Sequence, residues 1–270
     1  MNGVEHIQTT FEELSQGGRS AFMPFLTAGD PDTSRTVELI VAMEEAGADL
    51  LELGVPYSDP LADGPVIQDS FSRALASGMR VDDVFAIISR ARSEGAKLPI
   101  MTMVSYSLVY RTGCERYVQA LAKAGGDGLI VPDLTVEESG KLCELCRDAG
   151  LALVFLATPT TERERERRIL ASSSGFLYCV SIVGITGERA QLPETLAEHV
   201  RRLKSETELP VCVGFGVSRP EQASSVARLA DGVIVGSALV RCVREGEGAV
   251  ERTSEFARSL AEAVHGVKQD

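Results

Sequence analysis

Glu52 sits in an otherwise apolar run, Leu50-Leu51-Glu52-Leu53, too short for a helix and read as a buried strand. An ionised carboxylate there costs several kcal/mol of lost hydration unless it is paired or keeps its proton. Such an acid is a salt-bridge partner or a proton carrier. The chain continues as Gly54-Val-Pro-Tyr-Ser-Asp-Pro-Leu-Ala-Asp-Gly-Pro65. Pro56, Pro60 and Pro65, with Gly54 and Gly64, exclude helix and ladder, so the stretch is a shaped arm bringing a second acid, Asp63, toward the first. Two convergent carboxylates can do proton-transfer chemistry. The competing structural reading puts Glu52 in a buried ion pair and makes Asp63 the cap of the next helix.

Glycines gather at three later points: Gly184 and Gly187, Gly214 and Gly216, then Gly236 beside Ser237. Each could simply make a tight turn. Together they let backbone N–H groups approach an anion, and Ser237 opens a short helix whose N-terminus favours negative charge. A phosphate is the natural ligand.

The elements that must position these residues follow one rhythm. Strands are expected at 21–26, 49–53, 98–104, 128–131, 151–156, 176–181, 210–213 and 232–235, with helical patterns between them and a terminal helix at 248–264. Residues 5–16, with Ile7, Phe11 and Leu14 on one face, form an extra helix ahead of the first strand. No Pro/Ser-rich linker or charge block divides the chain, so 1–270 is expected to be one domain. Eight short βα units predict a (β/α)8 TIM barrel with an extra N-terminal helix, since a doubly wound open sheet would leave two edges. In such barrels the loops after the strands carry the chemistry, which places Glu52 and Asp63 on the catalytic face.

Composition narrows the function. A formal net charge of −12 argues against a nucleic-acid or anionic-membrane surface. No basic-then-apolar leader or bilayer-length apolar run is visible, and a cytoplasmic location is expected. Cys143 and Cys146 form a C-x-x-C, but Leu142, Leu145, Cys146 and Ala149 make a helical apolar stripe and no second ligand pair exists. They are read as core, and no metal site is expected. His6, His199 and His265 lack ligand spacing and receive no role. The alternating charges of Thr161–Arg168 read as a solvated, salt-bridged helix face.

Leu51-Glu-Leu-Gly-Val-Pro-Tyr-Ser-Asp-Pro-Leu-Ala-Asp-Gly-Pro65 resembles the signature of the tryptophan synthase alpha chain family. Pro24-Phe-Leu-Thr-Ala-Gly-Asp-Pro31, Gly128-Leu-Ile-Val-Pro-Asp133, Gly184-Ile-Thr-Gly187, Gly214-Phe-Gly216 and Gly236-Ser237 resemble its other segments in the same order. The resemblance implies retro-aldol cleavage of indole-3-glycerol phosphate into indole and glyceraldehyde 3-phosphate. It makes Glu52 the acid and base and Asp63 the group that accepts the indole N–H. It places the substrate among Phe25, Met103, Ile130, Tyr178, Thr186 and Phe215, with phosphate on Gly187, Gly216, Gly236 and Ser237.

No cofactor is implied on this chain. A beta chain carrying pyridoxal phosphate is the implied partner, in an α2β2 assembly that passes indole from one subunit to the other. Ser105-Tyr-Ser107 stands where the family commonly shows Tyr-Tyr-Asn or Tyr-Ala-Asn, and Thr135 replaces a common proline. Both departures bear on ligand fit and partner contact rather than on the acids. A free-standing indole-3-glycerol-phosphate lyase and a non-catalytic regulatory subunit that binds the phosphate ligand are the alternative readings.

Overall fold

The computed structural model describes residues 1–60, 63–180, 193–214, 216–244 and 248–267. Helix α1 (Gly3–Gln16) starts on a capping box: the Asn2 side chain accepts from the Glu5 N–H at 3.0 Å, and the Glu5 carboxylate accepts from the Asn2 N–H at 3.0 Å. Its buried face is Ile7, Phe11 and Leu14, one turn apart, and Phe11 meets Phe176 at a ring separation of 6.2 Å. These side chains share a cluster with Ala21, Leu50 and Phe176, which lie where strands begin. The first helix therefore closes the N-terminal end of the barrel.

The first half of the circuit runs β1 (Ala21–Thr27), α2 (Thr33–Glu45), β2 (Leu51–Gly54), α3 (Pro65–Ala76), α4 (Val81–Ser93), β3 (Ile100–Met103), α5 (Tyr106–Thr112), α6 (Cys114–Ala124), β4 (Gly128–Ile130) and α7 (Gly140–Asp148). The second half runs β5 (Ala152–Val154), β6 (Leu156–Ala157), α8 (Arg163–Ser172), β7 (Leu177–Val180), α9 (Glu194–Glu206), β8 (Val211–Gly214), α10 (Pro220–Ala227), β9 (Gly232–Val235), α11 (Ser237–Val243) and α12 (Ala249–His265). Every strand pairing is parallel, in the order β5-β4-β3-β2-β1-β9-β8-β7-β6.

Strands β5 and β6 are two pieces of one expected strand, broken only at Phe155. The Phe155 carbonyl accepts from the Tyr178 N–H at 3.2 Å, so the ladder passes from β4 to β7 through this stretch and the barrel closes. Alternation survives the break. Ala152, Val154 and Leu156 face the interior cluster while Leu153, Phe155 and Ala157 face the helices.

Three aspartates just ahead of strands fix the register of the next strand over. Asp49 accepts from Phe22 N–H at 2.7 Å, Asp127 from Ile100 N–H at 2.8 Å and Asp231 from Val211 N–H at 2.9 Å. Each also holds a cation or imidazole: His265 on Asp49, Arg92 and His6 on Asp127, Lys204 on Asp231. Two histidines left without a role by the sequence are thus fasteners of the N-terminal face. The short helix α5 was not expected. Ser105 caps it, its hydroxyl accepting from the Ser107 N–H at 3.3 Å. Cys143 and Cys146 lie on α7, the second buried against the core, and neither is in a disulfide.

Candidate active site

Glu52 is placed by strand alternation. Leu50, Glu52 and Gly54 point into the barrel while Leu51 and Leu53 pack against the outer helices. In register, Glu52 lies between Phe25 of β1 and Met101 of β3. Its side chain is 0% exposed, and neither carboxyl oxygen has a hydrogen-bond partner among the described residues. Among the described residues, then, Glu52 has no ion-pair partner. Burial without compensation pushes the Glu52 carboxyl up to about 8, so at neutral pH it holds its proton.

Asp63 ends the arm. It is half-buried, and burial raises its carboxyl to about 6. It does not cap α3: Gly64 occupies the N-cap position with no side-chain hydrogen bond, and Pro65 begins the helix. Neither structural reading holds among the described residues, and two carboxyls with separated pKa values remain. The Tyr178 phenol senses the pair. Burial first, then the charges of Glu52 and Asp63, hold it well above its usual range. Its hydroxyl lies against Gly214, where a Cβ would come within 2.3 Å of it.

Other expected substrate contacts converge on the same interior. Met103, Ile130 and Tyr178 share one cluster, and Met103 also packs with Phe25, Ile67, Phe71 and Val240 in a second cluster toward the C-terminal rim. Gly54 lets Phe25 lie across β2, since a Cβ there would meet the ring at 2.3 Å. Gly216 is exposed with φ of 79°, a left-handed backbone that favours glycine. Gly236 is the N-cap of α11, and Ser237 is its first residue. Thr186, Gly187 and Phe215 lie outside the described residues.

Sequence reasoning missed the residues that hold the arm. Gln68 on α3 donates to the carbonyls of Pro60 (3.2 Å) and Asp63 (2.8 Å). Arg73 makes a two-point contact with Asp30 at 3.0 and 2.6 Å, and Ser70 bonds Thr27 at 2.6 Å, so α3 is tied to the loop after β1. The available signal was the spacing of Ile67, Phe71 and Ala74, which fixes the buried face of α3 and so places Ser70 on it. The solvated reading of Thr161–Arg168 also fails at one residue. Glu166 is fully buried and bonded to His199 and Arg202, so His199 too has a partner. Ile169, buried one turn later, marks that face.

A parallel barrel with a buried carboxyl on β2, unpaired among the described residues, and a second acid on the loop after that strand defines a (β/α)8 protein of the enzyme class that works through loops on that face. The sequence model of the tryptophan synthase alpha chain family matches residues 11–269. The chain is 48% identical to the tryptophan synthase alpha chain of Rhodopirellula baltica, covering 96% of this chain and 98% of that one. It is 46% identical to that of Geobacillus kaustophilus, covering 89% and 93%.

Among solved structures, tryptophan synthase subunit alpha from Legionella pneumophila superposes with a TM-score of 0.91 at 34% identity, covering 99% of this chain and 100% of that one. A Mycobacterium tuberculosis tryptophan synthase chain gives 0.89 at 37% identity, covering 96% and 98%. The chain belongs to the tryptophan synthase alpha chain family. It is an enzyme subunit of tryptophan biosynthesis, and its family implies a beta-chain partner.

Proposed function

We propose that this chain cleaves indole-3-glycerol phosphate by a retro-aldol reaction. The observation that carries the reading is Glu52: a buried carboxyl, unpaired among the described residues, that keeps its proton near neutral pH, while a second acid on the loop after the same strand has lost most of its own. Protonated Glu52 delivers its proton to indole C3, and the positive charge moves to the ring nitrogen. Ionised Asp63 accepts a hydrogen bond from that N–H and stabilises the cation. The bond between C3 and the glycerol carbon then breaks, its electron pair returning to the ring. The neighbouring hydroxyl becomes the aldehyde carbonyl, and its proton passes to the Glu52 carboxylate. One proton is given and one taken, so Glu52 ends as it began.

Phe25, Met103, Ile130 and Tyr178 supply the apolar wall for indole, and the family resemblance assigns Phe215 to the same wall and Thr186 to substrate binding. Phosphate falls to Gly187, Gly216, Gly236 and Ser237, the last two at the N-terminus of α11, where the helix dipole favours an anion. The reaction calls for no metal or organic cofactor on this chain. Residues 1–270 act as one barrel domain in the cytoplasm, in an α2β2 assembly whose beta chain carries pyridoxal phosphate and takes up the indole. The deciding experiment is turnover of indole-3-glycerol phosphate by the purified chain, with and without its cognate beta chain. Absence of indole release in both conditions would refute the reaction.

A further inference from the structure

Behind β7, on the side away from the substrate pocket, lies a buried polar chain that the reaction does not use. The Glu166 carboxylate, from the first turn of α8, meets both guanidinium nitrogens of Arg202 on α9, one of them at 3.0 Å. It also meets His199 Nε2 at 3.1 Å. His199 Nδ1 in turn lies 3.8 Å from Cys179 Sγ on β7. The carboxylate can only accept, so Nε2 carries the hydrogen, Nδ1 accepts, and the Cys179 thiol donates. Burial lowers His199 below its ordinary value against the opposing pull of Glu166, with Arg202 and Arg163 adding to the lowering, and the ring is neutral at pH 7. Burial also holds the Cys179 thiol up at about 12, so this cysteine is a hydrogen-bond donor and not a nucleophile.

Glu166 already has a two-point partner in Arg202, so charge neutralisation does not require the link to the strand. That link ends one residue from Tyr178. Neighbours on a strand face opposite sides, and here Cys179 lies in the outer cluster while Tyr178 projects into the site against Gly214.

We propose that Glu166, His199 and Cys179 are positioning residues that hold β7 so that the Tyr178 phenol stays seated against Gly214 in the site. The inference rests on the proposed reaction only for its rate readout. The test labels the five tyrosines with 3-fluorotyrosine, assigns the Tyr178 fluorine resonance by Tyr178→Phe, and follows it in His199→Ala, Cys179→Ala and Cys179→Ser. The two alanine variants should displace that resonance and leave the others in place. They should lower kcat about tenfold, as expected for a small misplacement of a contact group. KM should stay within about twofold, and Cys179→Ser, which keeps a donor, should restore most of the rate. Should His199→Ala fail to fold, Cys179→Ala decides, because it leaves the Glu166–Arg202 pair intact. A Tyr178 resonance that superimposes on wild type in folded alanine variants overturns the proposal. A displaced resonance in a protein that never cleaves indole-3-glycerol phosphate sustains the positioning role and refutes the reaction instead.

Discussion

At the residue scale, Glu52 carries a cost that shows in stability as well as in chemistry. Its carboxyl is raised from an ordinary 4.5 to about 8, so the unfolded chain gives up this proton more readily than the folded one. Stability is therefore lost as pH climbs from about 4.5 to about 8, by on the order of 3 kcal/mol at pH 7. Glu52→Gln should abolish cleavage and, in urea unfolding at pH 5 and pH 8, lose markedly less stability between the two than wild type does. Equal losses would show that Glu52 is not buried as an acid. The same two groups set the activity profile. The proposed reaction needs Asp63 ionised and Glu52 protonated, so kcat/KM should rise through about pH 6 and fall through about pH 8. A flat profile across that range would remove both assignments.

At the element scale, α3 holds the arm that the proposed reaction uses. Gln68 holds the carbonyls of Pro60 and Asp63, while Ile67 and Phe71 bury against Phe25 and Val240. Gln68→Ala removes two hydrogen bonds worth about 1 kcal/mol each, a modest stability change. It should nevertheless lower kcat about tenfold, because Asp63 loses its placement. An unchanged kcat would mean that the arm is set by other contacts. On α11, the phosphate assignment predicts that Ser237→Asp raises KM strongly through repulsion at the helix N-terminus, checked by steady-state kinetics.

These cases show what a single sequence exposes. Glu52 was legible because an acid in an apolar run violates burial, and Asp63 because proline and glycine leave the arm no regular structure. Gln68 and Arg73 were not, since their partners are loop carbonyls and an aspartate far along the chain. Glu166 was hidden among alternating charges, where only the rung shared with Ile169 turns inward. The single fifth strand of the sequence pattern became two because the ladder passes to a new neighbour at Phe155.

At the scale of the whole molecule, the root of the arm joins its neighbouring elements. The Val55 N–H donates to Met103 O at 2.8 Å, joining the arm's root to the end of β3. Val55 and Pro56 line a cavity of about 420 Å³ with Leu108 and Arg111 from the region of α5. Ser105, the departure from the family pattern, donates to Asp133 at 2.7 Å, and Asp133 also accepts from the Tyr106 N–H at 2.8 Å, which ties α5 to the loop after β4. The arm's root thus adjoins α5, and α5 adjoins the loop after β4, with Tyr110 of α5 72% exposed. An exposed aromatic amid polar neighbours on the catalytic side is suited to a partner, and the family supplies one in the beta chain. Docking there would clamp the arm from outside as Gln68 holds it from within. The isolated chain should accordingly be a slow lyase, and titration with the cognate beta chain should raise kcat while slowing hydrogen exchange in residues 54–60. Tyr110→Ala should weaken the complex without altering the basal rate of the free chain. A complex that forms with no change in arm protection or turnover would separate assembly from catalysis and leave the free-standing lyase as the better description.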